Sequence, residues 1–195
     1  MNFLAHIYLS FGNKDIMIGN FIADSIPGNK YLHLPQKVQK GVLLHRAIDT
    51  FTDSHAIPRI SSKRLHANYS HYSRVIVDIY YDHFLAKNWA RYSEVPLNIF
   101  VAEFYALLQD NYQILPDKVQ RMLPLMMSEN WLFNYANMDG MANVLHGMNQ
   151  RTKNRSKMNL AVADLQEYYT EFETEFTAFF EELITFSRKK LNSLL

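Results

Sequence analysis

The sequence predicts a single all-α domain, and three observations carry that reading. Apolar residues recur at three- and four-residue steps along most of the chain. Prolines stand where helices would begin. No run alternates convincingly enough to build a sheet. With 195 residues, 48% of them apolar and 20% charged, the chain has material for one core and none of the bias of a disordered tract. Residues 1–195 are therefore read as one helical bundle without a linker or an internal repeat.

Each element has its own justification. FLAHIYLSF, residues 3–11, alternates weakly, and a strand there would have no partner. The stretch from Gly12 to Gly28 lacks the glycine spacing of a nucleotide-binding loop. Pro35 opens a helix through VQKGVLLHRAIDTFTDSH, with Val38, Val42, Leu44, Ala47, Ile48 and Phe51 on its buried side. Pro58 and the Ser61–Ser62 pair punctuate the chain before a short helix over 63–68. A further helix is predicted from about Ser70 to Trp89. Pro96 and Pro116 each start another, and a short helical piece spans 138–149 ahead of the polar run QRTKNRSK. From about Asn159 to Leu191 the pattern is that of one long amphipathic helix, with phenylalanines at 172, 176, 179, 180 and 186.

Composition removes several chemistries. A formal net charge of +1 offers no global electrostatic case for nucleic-acid binding. The absence of cysteine excludes disulfides, thiolate metal sites and thiol nucleophiles. Ser10, Ser25 and Ser54 do not sit in GxSxG elbows, so acyl transfer has no support. MNFLAHIYLSFG has no basic leader, and no stretch approaches the roughly 18 apolar residues that span a bilayer. The expectation is a cytoplasmic protein without a membrane partner.

What remains is two polar ladders in apolar surroundings. His45, Asp49 and Asp53 recur at four-residue steps, which on a helix leaves neighbours about 40° apart on one face. Asp78 and Asp82 do the same in RVIVDIYYDHFLA, with His83 following directly. The second ladder has almost no polar company, and carboxylates there are costly unless paired or bound to a cation. Each ladder also has a structural reading. The first can be a solvated face, and the second can be buried carboxylates paired with Arg46 or Arg74. Imidazoles and carboxylates without thiolates suit manganese, iron, magnesium or zinc. His6 in FLAHIYL and Asp24 in IGNFIADSIPG are further polar residues in apolar frames. QRTKNRSK carries Arg151, Lys153, Arg155 and Lys157 without an acid, as a solvated loop or as a docking patch.

Four motifs in order, MNFLAHIYLS, IGNFIADSIPG, GVLLHRAIDTFTDSH and IVDIYYDHFLAKNW, resemble the acyl carrier protein phosphodiesterases. The resemblance covers roughly residues 1–90 by motif, and length and helical character agree over the rest. It implies an all-α fold distantly like that of the HD-domain metal phosphohydrolases. It also implies hydrolysis of the phosphodiester between 4′-phosphopantetheine and a serine of holo-acyl carrier protein, an acidic protein substrate. A divalent cation is implied, Mn2+ first, with Mg2+ or Fe2+ as alternatives. Carried over residue by residue, the family's polar positions fall on His6, Asp24, His45, Arg46, Asp49, Asp53, Asp78, Asp82 and His83. The expected metal ligands are drawn from Asp24, His45, Asp78, Asp82 and His83. Asp49 or Asp53 is expected to orient water or fix the His45 tautomer and Arg46 or Arg74 to balance charge, with His6, Arg59 and Arg74 on the substrate. The HD signature has His before Asp in its doublet; here Asp82–His83 is inverted, so HD ligands do not transfer one to one. Two rivals are a phosphohydrolase of the same fold acting on nucleotides, and a non-enzymatic helical module that docks an acidic partner.

Overall fold

Phe3–Tyr8, where weak alternation kept a strand in play, forms a short helix, α1, with Leu4, Ala5, His6 and Ile7 all buried. The computed structural model describes residues 1–195 as α-helices joined by short 3-10 turns, with no strand. The helices that follow are α2 (Lys14–Ile22), α3 (Gln36–Ser54), α4 (Ala56–Tyr69), α5 (Ser73–Lys87) and α6 (Leu97–Asp110). Then come α7 (Asp117–Ser128), α8 (Trp131–Asn134), α9 (Met138–Arg151), α10 (Ala161–Glu167) and α11 (Tyr169–Leu194). No helix is long and apolar enough to cross a membrane.

Two boundaries differ from the sequence reading, each for a local reason. Pro58 does not delay α4, because it sits in the first turn, where its missing N–H would have had no intrahelical partner. His55, extended at the end of α3, caps α4 by accepting the Ile57 N–H on its Nδ1 at 3.2 Å. The long C-terminal helix is broken at Tyr168, whose backbone leaves helical values at φ −112° and ψ 32°. The piece before the break, α10, is pinned by two tyrosine hydroxyls, Tyr80 onto the Ala161 carbonyl and Tyr69 onto Asp164.

The core lies between α5 and α11. Phe172, Phe176, Phe179 and Phe180 are fully buried; the first three meet Tyr80, Tyr81 and Phe84 at centroid distances of 5.0–6.0 Å, and Phe180 stacks on Phe176 at 5.0 Å. Burial of rings of this size contributes on the order of 1.5–3 kcal/mol each. Phe186 is half-buried and stacks on Phe51 of α3 at 4.4 Å, which fastens α11 to that helix.

The tightest packing in the molecule is between α2 and α3. They cross at Gly19 and Gly41, where a β-carbon on Gly41 would lie 2.4 Å from the Ile16 carbonyl oxygen and 2.8 Å from the Gly19 Cα. One on Gly19 would lie 2.0 Å from the Val38 carbonyl oxygen. Only two glycines allow backbones this close. Gly41→Ala is expected to destabilise the fold by about 1–3 kcal/mol, because backbone rather than a pliable side chain must yield. Denaturant unfolding checks this; an unchanged midpoint would show that the helices can slide apart freely.

Candidate active site

Packing at that glycine crossing delivers Asn20 of α2 to a point between His6 of α1 and His45 of α3. The Asn20 side chain is fully buried, and its Nδ2 donates to the His6 carbonyl at 2.6 Å and to Ser10 Oγ at 3.1 Å. That leaves Asn20 Oδ1 as the acceptor for His6 Nδ1 at 2.8 Å. The Asn20 backbone carbonyl accepts from His45 Nδ1, also at 2.8 Å. One residue therefore fixes the tautomer of both imidazoles: each Nδ1 carries the proton, and each Nε2 is left with a lone pair.

Both lone pairs aim at carboxylates. His45 Nε2 lies 3.1 Å from Asp24 Oδ1 and 3.0 Å from Asp49 Oδ2, and His6 Nε2 lies 3.2 Å from Asp49 Oδ1. The rings stack at 3.9 Å. His6 Nε2 is buried and makes no hydrogen bond. The ligand atoms of His6, His45 and Asp49 all lie within 4.8 Å of one another. Acceptors converging without a donor need a cation, either a proton or a metal ion. Two imidazole nitrogens with carboxylate oxygens form a donor set suited to a divalent transition metal. Asp24 stands on the 3-10 turn Ala23–Ser25 with its side chain 66% exposed, so it forms the open edge of the group.

Without a metal ion the cluster divides its protons unequally. Burial, with the neighbouring His45, lowers His6 to about 4. Burial also works against charge on His45, but its hydrogen bonds to Asp24 and Asp49 outweigh it and raise that ring to about 9. The Asp49 carboxyl, despite its burial, is held far below the usual range by His45 and His6, and Asp24 is lowered by its hydrogen bond with His45.

The second ladder is employed elsewhere. Asp82 is fully buried and accepts the N–H groups of Leu4 at 2.7 Å and Ala5 at 3.2 Å, so it caps α1 from a distant helix in place of Asn2, which makes no such bond. Burial pushes the Asp82 carboxyl up to about 7, against the pull of the Met1 ammonium and of those two amides. Asp78 binds that ammonium at 2.9 Å. His83 is occupied at both ring nitrogens, by the Tyr135 carbonyl at 2.7 Å and the Tyr169 hydroxyl at 2.8 Å. The metal ligands expected from sequence fall in two places. Asp24 and His45 come together, whereas Asp78, Asp82 and His83 do not join them: both polar atoms of Asp82 and of His83 have partners, and Asp78 holds the Met1 ammonium through Oδ1. In their place the structure brings His6, expected on the substrate, and Asp49, expected beside the metal.

A model of the acyl carrier protein phosphodiesterase family matches residues 1–183. The acyl carrier protein phosphodiesterases of Salmonella dublin, Salmonella newport (strain SL254) and Salmonella heidelberg (strain SL476) are each 33% identical over 198 residues, which is 97% of this chain and 99% of the relative. The chain belongs to the acyl carrier protein phosphodiesterase family. It is thus an enzyme of the phosphodiesterase class. No solved structure matches the chain.

The remaining residues expected from the family resemblance divide in two. Arg46 follows His45 about 100° round α3. It donates to the carbonyls of Ile26 and Gly28 and lies over the Tyr31 ring at 4.9 Å, so it braces the turn that follows Asp24. Asp53, one helical turn beyond Asp49, lines a small cleft with Arg59, Arg74 and Asp78. Arg59 Nε donates to the Asp53 carbonyl, and Arg74 stands 3.8 Å from the Asp53 carboxylate with both side chains 66% exposed. Sequence reasoning missed Asn20. Its signal was the cue that singled out His6 and Asp24: a polar residue in the apolar frame MIGNFIA, four positions before Asp24.

Two outcomes follow for this phosphodiesterase. Asp82→Ala should cost about 1–3 kcal/mol of stability by leaving two buried amides unpaired, and Asp82→Asn should cost less. Equal unfolding midpoints for the protein and Asp82→Ala would remove the cap from the account. The second concerns pH. His45 is raised above its unfolded value of 6.5, so its stabilisation is complete below pH 6.5 and is lost as pH rises through about 9. With EDTA present, the Tm difference between the protein and His45→Ala should therefore shrink as pH climbs from 6.5 to 9. A constant difference would contradict the assigned charge.

Proposed function

We propose that the protein hydrolyses the phosphodiester that joins 4′-phosphopantetheine to a serine of holo-acyl carrier protein, leaving apo-carrier protein and free 4′-phosphopantetheine. We further propose that it does so with a divalent cation, manganese first, held by His6, His45 and Asp49 with Asp24 at the open edge. The observation that carries this reading is the convergence of acceptor atoms around the unpartnered His6 Nε2, in a chain of this family. The names of the relatives supply the protein substrate. The donor set suits the cation.

Within that proposal the residues have separate tasks. Asn20 holds both Nδ1 protons, so the two Nε2 atoms stay free to bind. When bound, the cation would polarise a phosphoryl oxygen and lower the pKa of a water molecule. Asp24, open to solvent and outside the stacked pair, takes the proton of the attacking water. Arg59 and Arg74 face the same α3 surface about 6 Å further along the helix axis, one turn on from Asp49. There they offset the negative charge of the diester.

Mass spectrometry of holo-carrier protein after incubation with the enzyme tests this directly. Loss of the prosthetic-group mass is expected with Mn2+ and not with EDTA. Turnover in EDTA would overturn the cation, and an intact substrate in both samples, with hydrolysis of a nucleotide panel instead, would overturn the substrate. His45→Ala and Asp49→Ala should each lower turnover by about a hundredfold or more, with the helical circular dichroism retained.

A further inference from the structure

The segment that leaves α9 is a second built feature, away from the cluster. Lys153, Asn154 and Lys157 have φ of 55°, 60° and 56°, a left-handed backbone that residues with a β-carbon adopt only when their surroundings enforce it. The enforcement is visible. Asn149, buried at the end of α9, accepts from Ser156 Oγ at 3.0 Å and donates from Nδ2 to Asn154 Oδ1 at 2.9 Å, while Thr152 Oγ1 donates to the Asn149 carbonyl at 2.8 Å. The clamp uses only neutral side chains. It presents Arg151, Lys153, Arg155 and Lys157, all exposed, within seven residues that contain no acid.

None of these four cations forms an ion pair. Arg151 lies over the Trp131 ring at 5.7 Å. The rest of the chain is net acidic, so this loop is where its positive charge is concentrated. A solvated face needs no such order, because repelling cations spread better on a mobile loop. Four unpaired cations, two of them in a left-handed backbone, are preorganised for an anionic surface. Through Arg151 the loop's start rests on α8, and the residue just after α8 reaches the start of α1. Tyr135, which follows α8, receives a hydrogen bond from Asn2 at the start of α1. A protein partner that covers about 800 Å² on each side reaches well beyond the residues that perform the chemistry.

We propose that the 149–157 loop is a docking surface for an acidic face of the protein substrate, which rests on the function proposed above. The loop sets how tightly the carrier is held and takes no part in bond breaking. The double variant Lys153→Glu/Arg155→Glu tests this, since neither side chain belongs to the clamp. Expected are a KM for holo-carrier protein about tenfold higher, kcat within about twofold, and an unchanged rate on bis(p-nitrophenyl) phosphate. Binding of apo-carrier protein, read by fluorescence anisotropy, should weaken by the same factor and lose part of its salt dependence. Unchanged carrier binding would overturn the proposal, as would an equal loss on the small diester, or tighter binding of a single-stranded oligonucleotide than of apo-carrier. If the wild-type enzyme releases no prosthetic group, the proposed function fails, and the anisotropy measurement alone then decides the loop.

Discussion

The approach of α2 to α3 at Gly19 and Gly41 is the constraint on which the site depends. Helices normally keep a side chain's width between them. Here that width is absent, and the next residue along α2, Asn20, is delivered between two imidazoles from different helices. Its hydrogen bonds then decide which nitrogen of each ring is left free. A β-carbon at either glycine would disturb the cluster through backbone displacement, without touching His6, His45 or Asp49.

Burial of carboxylates serves architecture as much as chemistry in this protein. Asp82 and Asp78 sit where a carboxylate is expensive, and both are turned to the beginning of α1. A six-residue helix has little intrinsic stability and would fray if its first amides were unpaired. Donating them to a charge on α5 fixes the helix in place, and His6 with it. The second ladder is thus scaffolding for the first.

The helices were legible in the sequence because burial imposes a period, and a period survives without any knowledge of neighbours. The α3 stripe from Val38 to Ile48 and the phenylalanines of α11 are of this kind. The break at Tyr168 was not, since it comes from tyrosines on other helices that hold α10 down. The site shows the same division. His45 and Asp49 share one helix and a four-residue step, so their pairing is local. His6 joins them only through tertiary packing, and nothing in RVIVDIYYDHFLA says whether a buried aspartate will meet a metal ion or an amide. Asn20 was passed over because an amide lacks the charge that makes a buried residue conspicuous.

His45 and Arg46 are adjacent in the chain, about 100° apart around α3, and both reach the 24–28 segment. One lies at the centre of the acceptor cluster. The other grips the carbonyls of Ile26 and Gly28 and covers Tyr31, just beyond the turn that presents Asp24. The rim of the site is therefore carried on the same helical turn as its centre, although some twenty residues of chain separate the two. The aperture is held by a strut rather than by packing, and any movement of α3 must carry both together.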